Sequence, residues 1–344
     1  MRIPRTALVV TLTLALGTAS AVAWAASGDN TADQTATTPI TKELPSSASA
    51  KPLLRLDDVA MKAGRPRLIA GKFTATMRFI DPAHDGDRRD MLMSTWITCS
   101  TRTPSPDAAY PGRSALSSRN HEGSGRRAVS SVWLFTPPAD GTYTCIQWAI
   151  GKYTVGPKRS LLPVTGSSDT YLRVAGKTET GGAEWYQGSD AVVRKDDPKT
   201  AKREDTATIL SHTWTASKSA TRINVFHGSQ ATAGVEGIAG MDPLVLKTTL
   251  RITQLNARHQ ACASAVTAVD KVSIYQGSTH HLKVSRWLQA PVRTGNGCTR
   301  EFAIGVVAAY TLTHSGATPN KAGTLHGAIR DPLRPYSTAI ALNV

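Results

Sequence analysis

The sequence is short of the features that usually point to a particular chemistry. Among its 344 residues, aromatic side chains make up 6% and there are only 4 cysteines, too few for a small disulfide-dense scaffold. The uncharged apolar stretch near the N-terminus is too short and too weakly apolar for a lasting transmembrane anchor. The sequence contains no G-x-S-x-G, H-E-x-x-H, P-loop or Cys-x2-Cys motif. We therefore predict no cofactor and, on balance, no enzymatic activity.

Acidic residues are also scarce relative to basic ones. The chain has 40 Lys and Arg against 25 Asp and Glu, a formal net charge of +15, and 40% of its residues are hydrophobic, a balance typical of a globular protein. The positive charge is spread along the chain and favours anionic partners such as a cell-wall polymer or an acidic polysaccharide. It includes no run of five basic residues and no interleaved aromatics, which argues against nucleic-acid binding.

The N-terminus is typical of a secretory signal peptide. Arg2 and Arg5 precede an apolar stretch over residues 7–16, and Ala23-Trp24-Ala25 then gives a small-x-small cleavage pattern. We predict a signal peptide over residues 1–25, cleaved between Ala25 and Ala26. The mature protein is accordingly expected to be secreted, with no stable membrane span.

Shifts in composition divide the remaining chain into four segments. Residues 26–50 are mostly small and polar and predict a disordered leader. Residues 177–205 mix acidic and basic side chains with glycine and proline, and predict a linker. Two modules are left, module 1 over residues 51–176 and module 2 over residues 206–344.

Both modules contain alternations of period two, which predict β-strands. In module 1, Phe73, Ala75 and Met77 alternate with polar residues. In module 2, the stretch from Phe302 to Leu312 has the clearest apolar face in the chain, and its alternate residues are small. We expect this stretch to be a central strand covered on both sides. Since no segment has a helical period over three turns, the sequence predicts an all-β protein.

The cysteines divide evenly between the modules. Cys99 and Cys145 lie in module 1, and Cys262 and Cys298 lie in module 2. Four cysteines allow three pairings, of which the module boundary favours Cys99–Cys145 and Cys262–Cys298. In a secreted chain such pairs are structural far more often than catalytic.

The segment before Cys145 resembles part of an immunoglobulin-type domain. Tyr143 stands two residues before Cys145, the spacing of the tyrosine corner, and Cys99 would be the partner cysteine. The match covers one strand and its turn, and no tryptophan follows Cys99 closely. The resemblance implies a Greek-key β-sandwich fold for the modules. The Arg-, Ala- and Thr-rich composition is also similar to that of secreted actinobacterial proteins.

Two tryptophans are candidate ligand-binding residues. Trp96 lies three residues before Cys99, and Trp148 lies three residues after Cys145. An odd offset on a strand places each indole on the face opposite its cysteine. If the cysteines are in the core, the indoles could stack on sugar rings or anchor a protein partner. Alternatively, another loop or module 2 covers them.

Histidines are the remaining candidates for chemistry, because seven of nine lie in module 2. His212 and His227 could converge if their strands form a hairpin, with His314 as a third candidate metal ligand or general base. The alternative is that these side chains are scattered and singly hydrogen-bonded.

Three hypotheses follow from these features. The leading one is a secreted, non-enzymatic protein that binds anionic or saccharide material at the cell surface. The second is an extracellular hydrolase or metal-dependent enzyme that uses the module 2 histidines. The third is a structural or assembly role in which the tryptophans contact another protein.

Overall fold

A computed structural model describes most of the chain after the predicted signal peptide. The described residues are 33–45, 49–79, 90–122, 125–153, 159–175, 181–186, 191–192, 202–233, 244–274, 281–313, 323–326, 328–329 and 331–344. They form strands and no helix, which confirms the all-β prediction. Within these ranges no helix is long and apolar enough to cross a membrane. The predicted signal peptide and its cleavage site lie outside the described residues.

Ten strands build module 1. They are β1 (Gln34–Ala36), β2 (Leu44–Pro45), β3 (Lys51–Met61), β4 (Arg67–Phe79), β5 (Asp90–Ser100), β6 (Ser117–Glu122), β7 (Gly125–Phe135), β8 (Gly141–Tyr153), β9 (Arg159–Pro163) and β10 (Tyr171–Val174).

Twelve strands build module 2. They are β11 (Gly182–Tyr186), β12 (Ala191–Val192), β13 (Lys202–Thr215), β14 (Arg222–Ala233), β15 (Leu244–Asn256), β16 (Val266–Ile274), β17 (His281–Pro291), β18 (Cys298–Thr313), β19 (Gly323–His326), β20 (Ala328–Ile329), β21 (Asp331–Pro335) and β22 (Thr338–Asn343).

Each module is a sandwich of two antiparallel sheets, and the two modules have the same strand order. Sheet I runs β3-β8-β5-β6, and sheet II runs β1-β10-β4-β9-β2 with β7 on the other edge of β4. In module 2, sheet IV runs β13-β18-β15-β16, and sheet III runs β11-β22-β14-β19-β12 with β17 on the other edge of β14. Module 2 therefore repeats module 1 strand for strand, with the β20–β21 ribbon inserted before the last strand.

The predicted alternation fills the core of each sandwich. Phe73, Ala75 and Met77 point between sheets I and II, in the core of module 1. Phe302 and Ile304 point between sheets III and IV, in the core of module 2. Because successive side chains of a strand point to opposite faces, the intervening residues point away from the core: they are Thr74 and Thr76 on β4 and the small Ala303 and Gly305 on β18.

Both predicted disulfides are present, one in each module. Cys99–Cys145 joins β5 to β8, with Cα atoms 4.1 Å apart. Cys262–Cys298 joins the β15–β16 connection to the start of β18, with Cα atoms 5.4 Å apart. Tyr143 donates a hydrogen bond from its hydroxyl to the Ala139 carbonyl at 2.8 Å, the contact that the immunoglobulin resemblance implies.

The segments predicted to be a leader and a linker contribute strands to the sandwiches. Residues 34–36 and 44–45, expected in a disordered leader, pair with β10 and β9. Residues 182–186 and 191–192, expected in the linker, pair with β22 and β19 at the equivalent places in module 2. Such short edge strands are held largely by backbone hydrogen bonds, so they need no apolar periodicity that a sequence would reveal.

The two modules pack together through an apolar junction between sheets II and III. Leu68 and Leu134 on the outer face of sheet II meet Phe226, Ile340 and Leu342 on the outer face of sheet III. All five side chains are buried. Sheets II and III thus lie between sheets I and IV, and contacts at the edge add to the junction: β6 of sheet I contacts β17 of sheet III, and the Tyr110 and Tyr186 ring centroids are 4.6 Å apart. Sheets I and IV each have one face that lies outside the apolar junction.

One carboxyl group sits in this junction. Glu184 on β11 accepts a hydrogen bond from the Leu134 N–H of module 1 at 3.3 Å. The Thr338 hydroxyl lies 2.9 Å from Glu184 Oε1 and 2.9 Å from the Trp185 carbonyl oxygen. A hydroxyl has one proton to donate, so a protonated Glu184 donating to Thr338 satisfies every group in this chain of contacts. Burial raises the pKa of Glu184 to about 8, in agreement with a neutral carboxyl.

Glu184 should make the stability of the junction depend on pH. Its pKa of about 8 in the folded protein lies above the ordinary value of 4.5. The neutral carboxyl therefore contributes its full stabilisation below about pH 4.5, and this stabilisation is lost as the pH rises towards 8. A Glu184→Gln variant removes this loss. The difference in free energy of unfolding, variant minus natural protein, should therefore increase between about pH 5 and about pH 7.5, by up to about 1.4 kcal/mol per pH unit. Urea unfolding of both proteins across this range measures the difference, and a difference independent of pH would contradict a neutral Glu184.

Candidate binding surface

Trp96 and Trp148 lie on the face of sheet I opposite the disulfide, as their spacing predicts, but both are covered. Their exposed fractions are 6% and 7%, because the 101–116 connection between β5 and β6 folds over them. The Trp96 indole N–H donates to the Pro106 carbonyl at 3.1 Å, and the Arg113 guanidinium lies 4.8 Å from the Trp96 ring centroid. Neither indole offers an open face for a sugar ring. The structure thus agrees with the alternative in which a loop covers the two tryptophans.

The candidate histidines do not form a common site. His212 is on β13 of sheet IV and His227 is on β14 of sheet III, so their strands do not form the expected hairpin. His212 stacks on Trp185, with ring centroids 4.9 Å apart, and its partial burial lowers its pKa. His314 lies outside the described residues. In the described part of the chain, no three His, Cys, Asp or Glu side chains are grouped to hold a metal ion.

His227 instead forms a pair with Ser229 that sequence reasoning missed. The Ser229 hydroxyl lies 2.7 Å from His227 Nε2, within the reach of a nucleophile and its general base. Ser229 is 0% exposed and His227 is 1% exposed. Burial, together with the charge of Lys283, lowers the pKa of His227 to about 3. The pair is thus a neutral hydrogen bond inside module 2, with no access for a substrate. Its only signal in the sequence is a spacing of two residues on a strand.

The outer face of sheet IV is the open counterpart of the covered face of sheet I. In module 1 the β5–β6 connection has 16 residues and covers its sheet, whereas the equivalent β15–β16 connection in module 2 spans only residues 257–265. Val307 and Val269 on this face are 38% and 45% exposed. The prediction that the Phe302–Leu312 strand is covered on both sides is therefore wrong at Val307. β18 is central in its sheet, Ala303 and Gly305 on its small-residue face are partly exposed, and Ala309 at the end of that face is buried.

Basic side chains line one side of this face. Lys247 and Arg251 on β15 and Lys271 on β16 occupy outward positions, because their neighbours along each strand point into the core. Lys247 and Lys271 are direct cross-strand partners. No described acidic side chain pairs with either lysine or with Arg251. We call these three residues the cationic row.

Small side chains, hydroxyl groups and the valines Val245 and Val269 form the rest of the described face, with Thr249 and Thr267 among the cationic row. The outward residues of β18 make a low central floor: Ala303, Gly305, Val307 and Ala309. On the far side, the outward residues of β13 make an exposed hydroxyl row: Thr206, Thr208, Ser211, Thr213 and Thr215. Glu301 is the acidic residue at one end of the floor, and it is paired with His259, whose Nδ1 lies 2.9 Å from its carboxylate.

Comparisons with known proteins give no family for the chain. No protein-family model matches it, and no curated protein matches its sequence. Among solved structures, the chain is similar to the tandem CBM22-1–CBM22-2 domains of Paenibacillus barcinonensis Xyn10C, with 9% identity, a TM-score of 0.25, and coverage of 91% of this chain and 99% of that one. It is also similar to the VP2 subviral particle of infectious bursal disease virus, with 12% identity, a TM-score of 0.25, and coverage of 91% and 75%. At these TM-scores the similarity does not extend to function.

Replacing Ser229 tests whether its pair with His227 is structural. Ser229→Ala leaves a buried ring nitrogen without its partner and should lower the free energy of unfolding by about 1–3 kcal/mol. Ser219, an exposed residue on the turn between β13 and β14, offers a matched control, because Ser219→Ala should change the free energy of unfolding by less than about 0.5 kcal/mol. Chemical denaturation measures both variants. Covalent labelling of Ser229 by a fluorophosphonate probe in the folded natural protein would instead point to a catalytic pair.

Proposed function

We propose that this protein is a secreted, non-catalytic binding protein that attaches to anionic material outside the cell through the outer face of sheet IV. The observation that carries the proposal is the cationic row on a sheet face that the described part of the chain leaves partly exposed. A chain with a formal net charge of +15 also attracts anionic polymers over long range. The predicted signal peptide supports an extracellular site of action, and two disulfides are typical of an oxidising compartment.

The Lys247–Lys271 pair is the feature that a purely structural role explains least well. Like charges placed directly opposite each other on neighbouring strands destabilise a sheet. Here neither ammonium group has an acidic partner among the residues with described side chains. An anionic ligand bridging the two lysines removes the repulsion, so the contact that binds the ligand also stabilises the sheet.

The enzymatic alternative has no comparable support. A hydrolase needs a nucleophile or an activated water next to a general base, within reach of a substrate. Of the candidate residues, His212 stacks on Trp185 and His227 is enclosed in the core. We therefore favour binding over catalysis as the role of module 2.

Reversing one charge of the cationic row should separate binding from stability. Lys271→Glu should weaken binding to dextran sulfate about tenfold, the sum of lost attraction and new repulsion at an exposed site. The same change places opposite charges across from each other and should raise the free energy of unfolding by about 0.2–1 kcal/mol. Co-sedimentation with dextran sulfate beads at increasing salt, and urea unfolding, measure the two effects.

A matched control distinguishes this surface from general charge attraction. Lys218→Glu makes the same change in net charge on the exposed turn between β13 and β14, away from the open face. It should leave most of the binding intact, and neither protein should bind uncharged dextran. Equal losses in the two variants, or no loss in Lys271→Glu, would overturn the proposal.

A further inference from the structure

We infer that the ligand is an acidic polysaccharide that lies along β18, with its acidic groups towards the cationic row and its hydroxyl groups towards the hydroxyl row. This inference rests on the proposed function and adds the chemical class and orientation of the ligand. It comes from the order of three parallel stripes across sheet IV: the cations, interspersed with Thr249 and Thr267, on β15 and β16, small side chains on β18, and hydroxyls without cations on the described part of β13.

The asymmetry of the face selects the ligand. Polyglutamate carries carboxylates and peptide groups but no hydroxyls and no apolar sugar face, so it can use the cationic row but matches the floor and the hydroxyl row less well than a sugar chain does. A sugar chain has apolar C–H faces, a rim of hydroxyls and, in an acidic polysaccharide, a carboxylate or phosphate. These three kinds of group match the low floor, the hydroxyl row and the cationic row. Charge-assisted hydrogen bonds to the anions would be the strongest single contacts.

The size of the face requires several sugar units. Neighbouring strands lie about 4.8 Å apart, so the distance from β13 to β16 is about 14 Å. Along the strand, residues 303 to 309 span about 20 Å at about 3.3 Å per residue, and Lys247 and Arg251 are about 13 Å apart by the same measure. A single sugar covers only part of the length along β18, whereas an extended chain of several units lying along the strand spans it.

The low floor makes the inference testable at one residue. Gly305 lies in the middle of β18, with Arg251 as its cross-strand partner on one side and Ser211 on the other. A Cβ atom added there meets nothing closer than the Leu210 carbonyl oxygen at 3.9 Å. Gly305→Gln therefore fits the fold and raises an uncharged side chain between the cationic row and the hydroxyl row. It obstructs a flat sugar chain but leaves the lysines free for a flexible polyanion.

The experiment compares polygalacturonate, poly-L-glutamate and uncharged dextran as probes. The natural protein should bind polygalacturonate more tightly than poly-L-glutamate of matched length and should not bind dextran. Gly305→Gln should weaken polygalacturonate binding about tenfold or more, equivalent to about 1.4 kcal/mol, and change poly-L-glutamate binding less than about twofold. Thr213→Val removes one exposed hydroxyl with little change of shape and should lower polygalacturonate binding only. Because Thr213→Val leaves the sheet intact, it keeps the test valid if Gly305→Gln does not fold.

The results separate this inference from the proposed function. If Lys271→Glu weakens both anionic probes while Gly305→Gln and Thr213→Val change neither, the face binds polyanions by charge alone and the polysaccharide inference is overturned. The inference is also overturned if the natural protein binds the two anionic probes equally well, or if Gly305→Gln weakens both to the same extent. If the natural protein binds neither anionic probe, the proposed function itself fails.

Discussion

The apolar junction between sheets II and III is the contact on which the rest of the architecture depends. Each sheet of a sandwich has one face in its own core, so its other face must be covered or must tolerate water. Leu68 and Leu134 on one side and Phe226, Ile340 and Leu342 on the other remove two of these faces from solvent. Only the outer faces of sheets I and IV remain, and the 101–116 connection covers much of the former. The junction thereby leaves sheet IV as the broad open sheet face in the described part of the molecule.

Because the topology is repeated, the outer faces of sheets I and IV can be compared directly. Two modules with the same strand order present equivalent outer faces. One carries buried tryptophans beneath a 16-residue connection, and the other carries lysines, threonines and small residues beside the shorter connection over residues 257–265. Side chains on a covered face are selected for packing, whereas side chains on an open one must suit water or a ligand. Like charges at Lys247 and Lys271, without an acidic partner among the described side chains, suit an anionic ligand better than they suit the sheet.

Sequence reasoning predicted the class of fold and the pairing of cysteines, because both follow from local pattern and arithmetic: alternation around Phe73 and Phe302, and one cysteine pair in each module. It placed Trp96 and Trp148 on the correct face of the strand but could not show the loop that covers them. The strands at residues 34–36 and 182–186 were missed because their pairing is made by backbone groups that carry no sequence signal. The cationic row was also missed, since Lys247 and Lys271 are far apart in sequence and become neighbours only through the register of β15 and β16.

Lysine footprinting tests the central claim, that ligand binding occurs on the outer face of sheet IV. The folded protein is treated briefly with an acetylating reagent, with and without polygalacturonate, and the modified lysines are quantified by mass spectrometry. Polygalacturonate is expected to protect Lys247 and Lys271, while the exposed Lys218 on the β13–β14 turn and Lys62 in module 1 remain as reactive as before. Protection spread evenly over all four lysines, or confined to module 1, would contradict it.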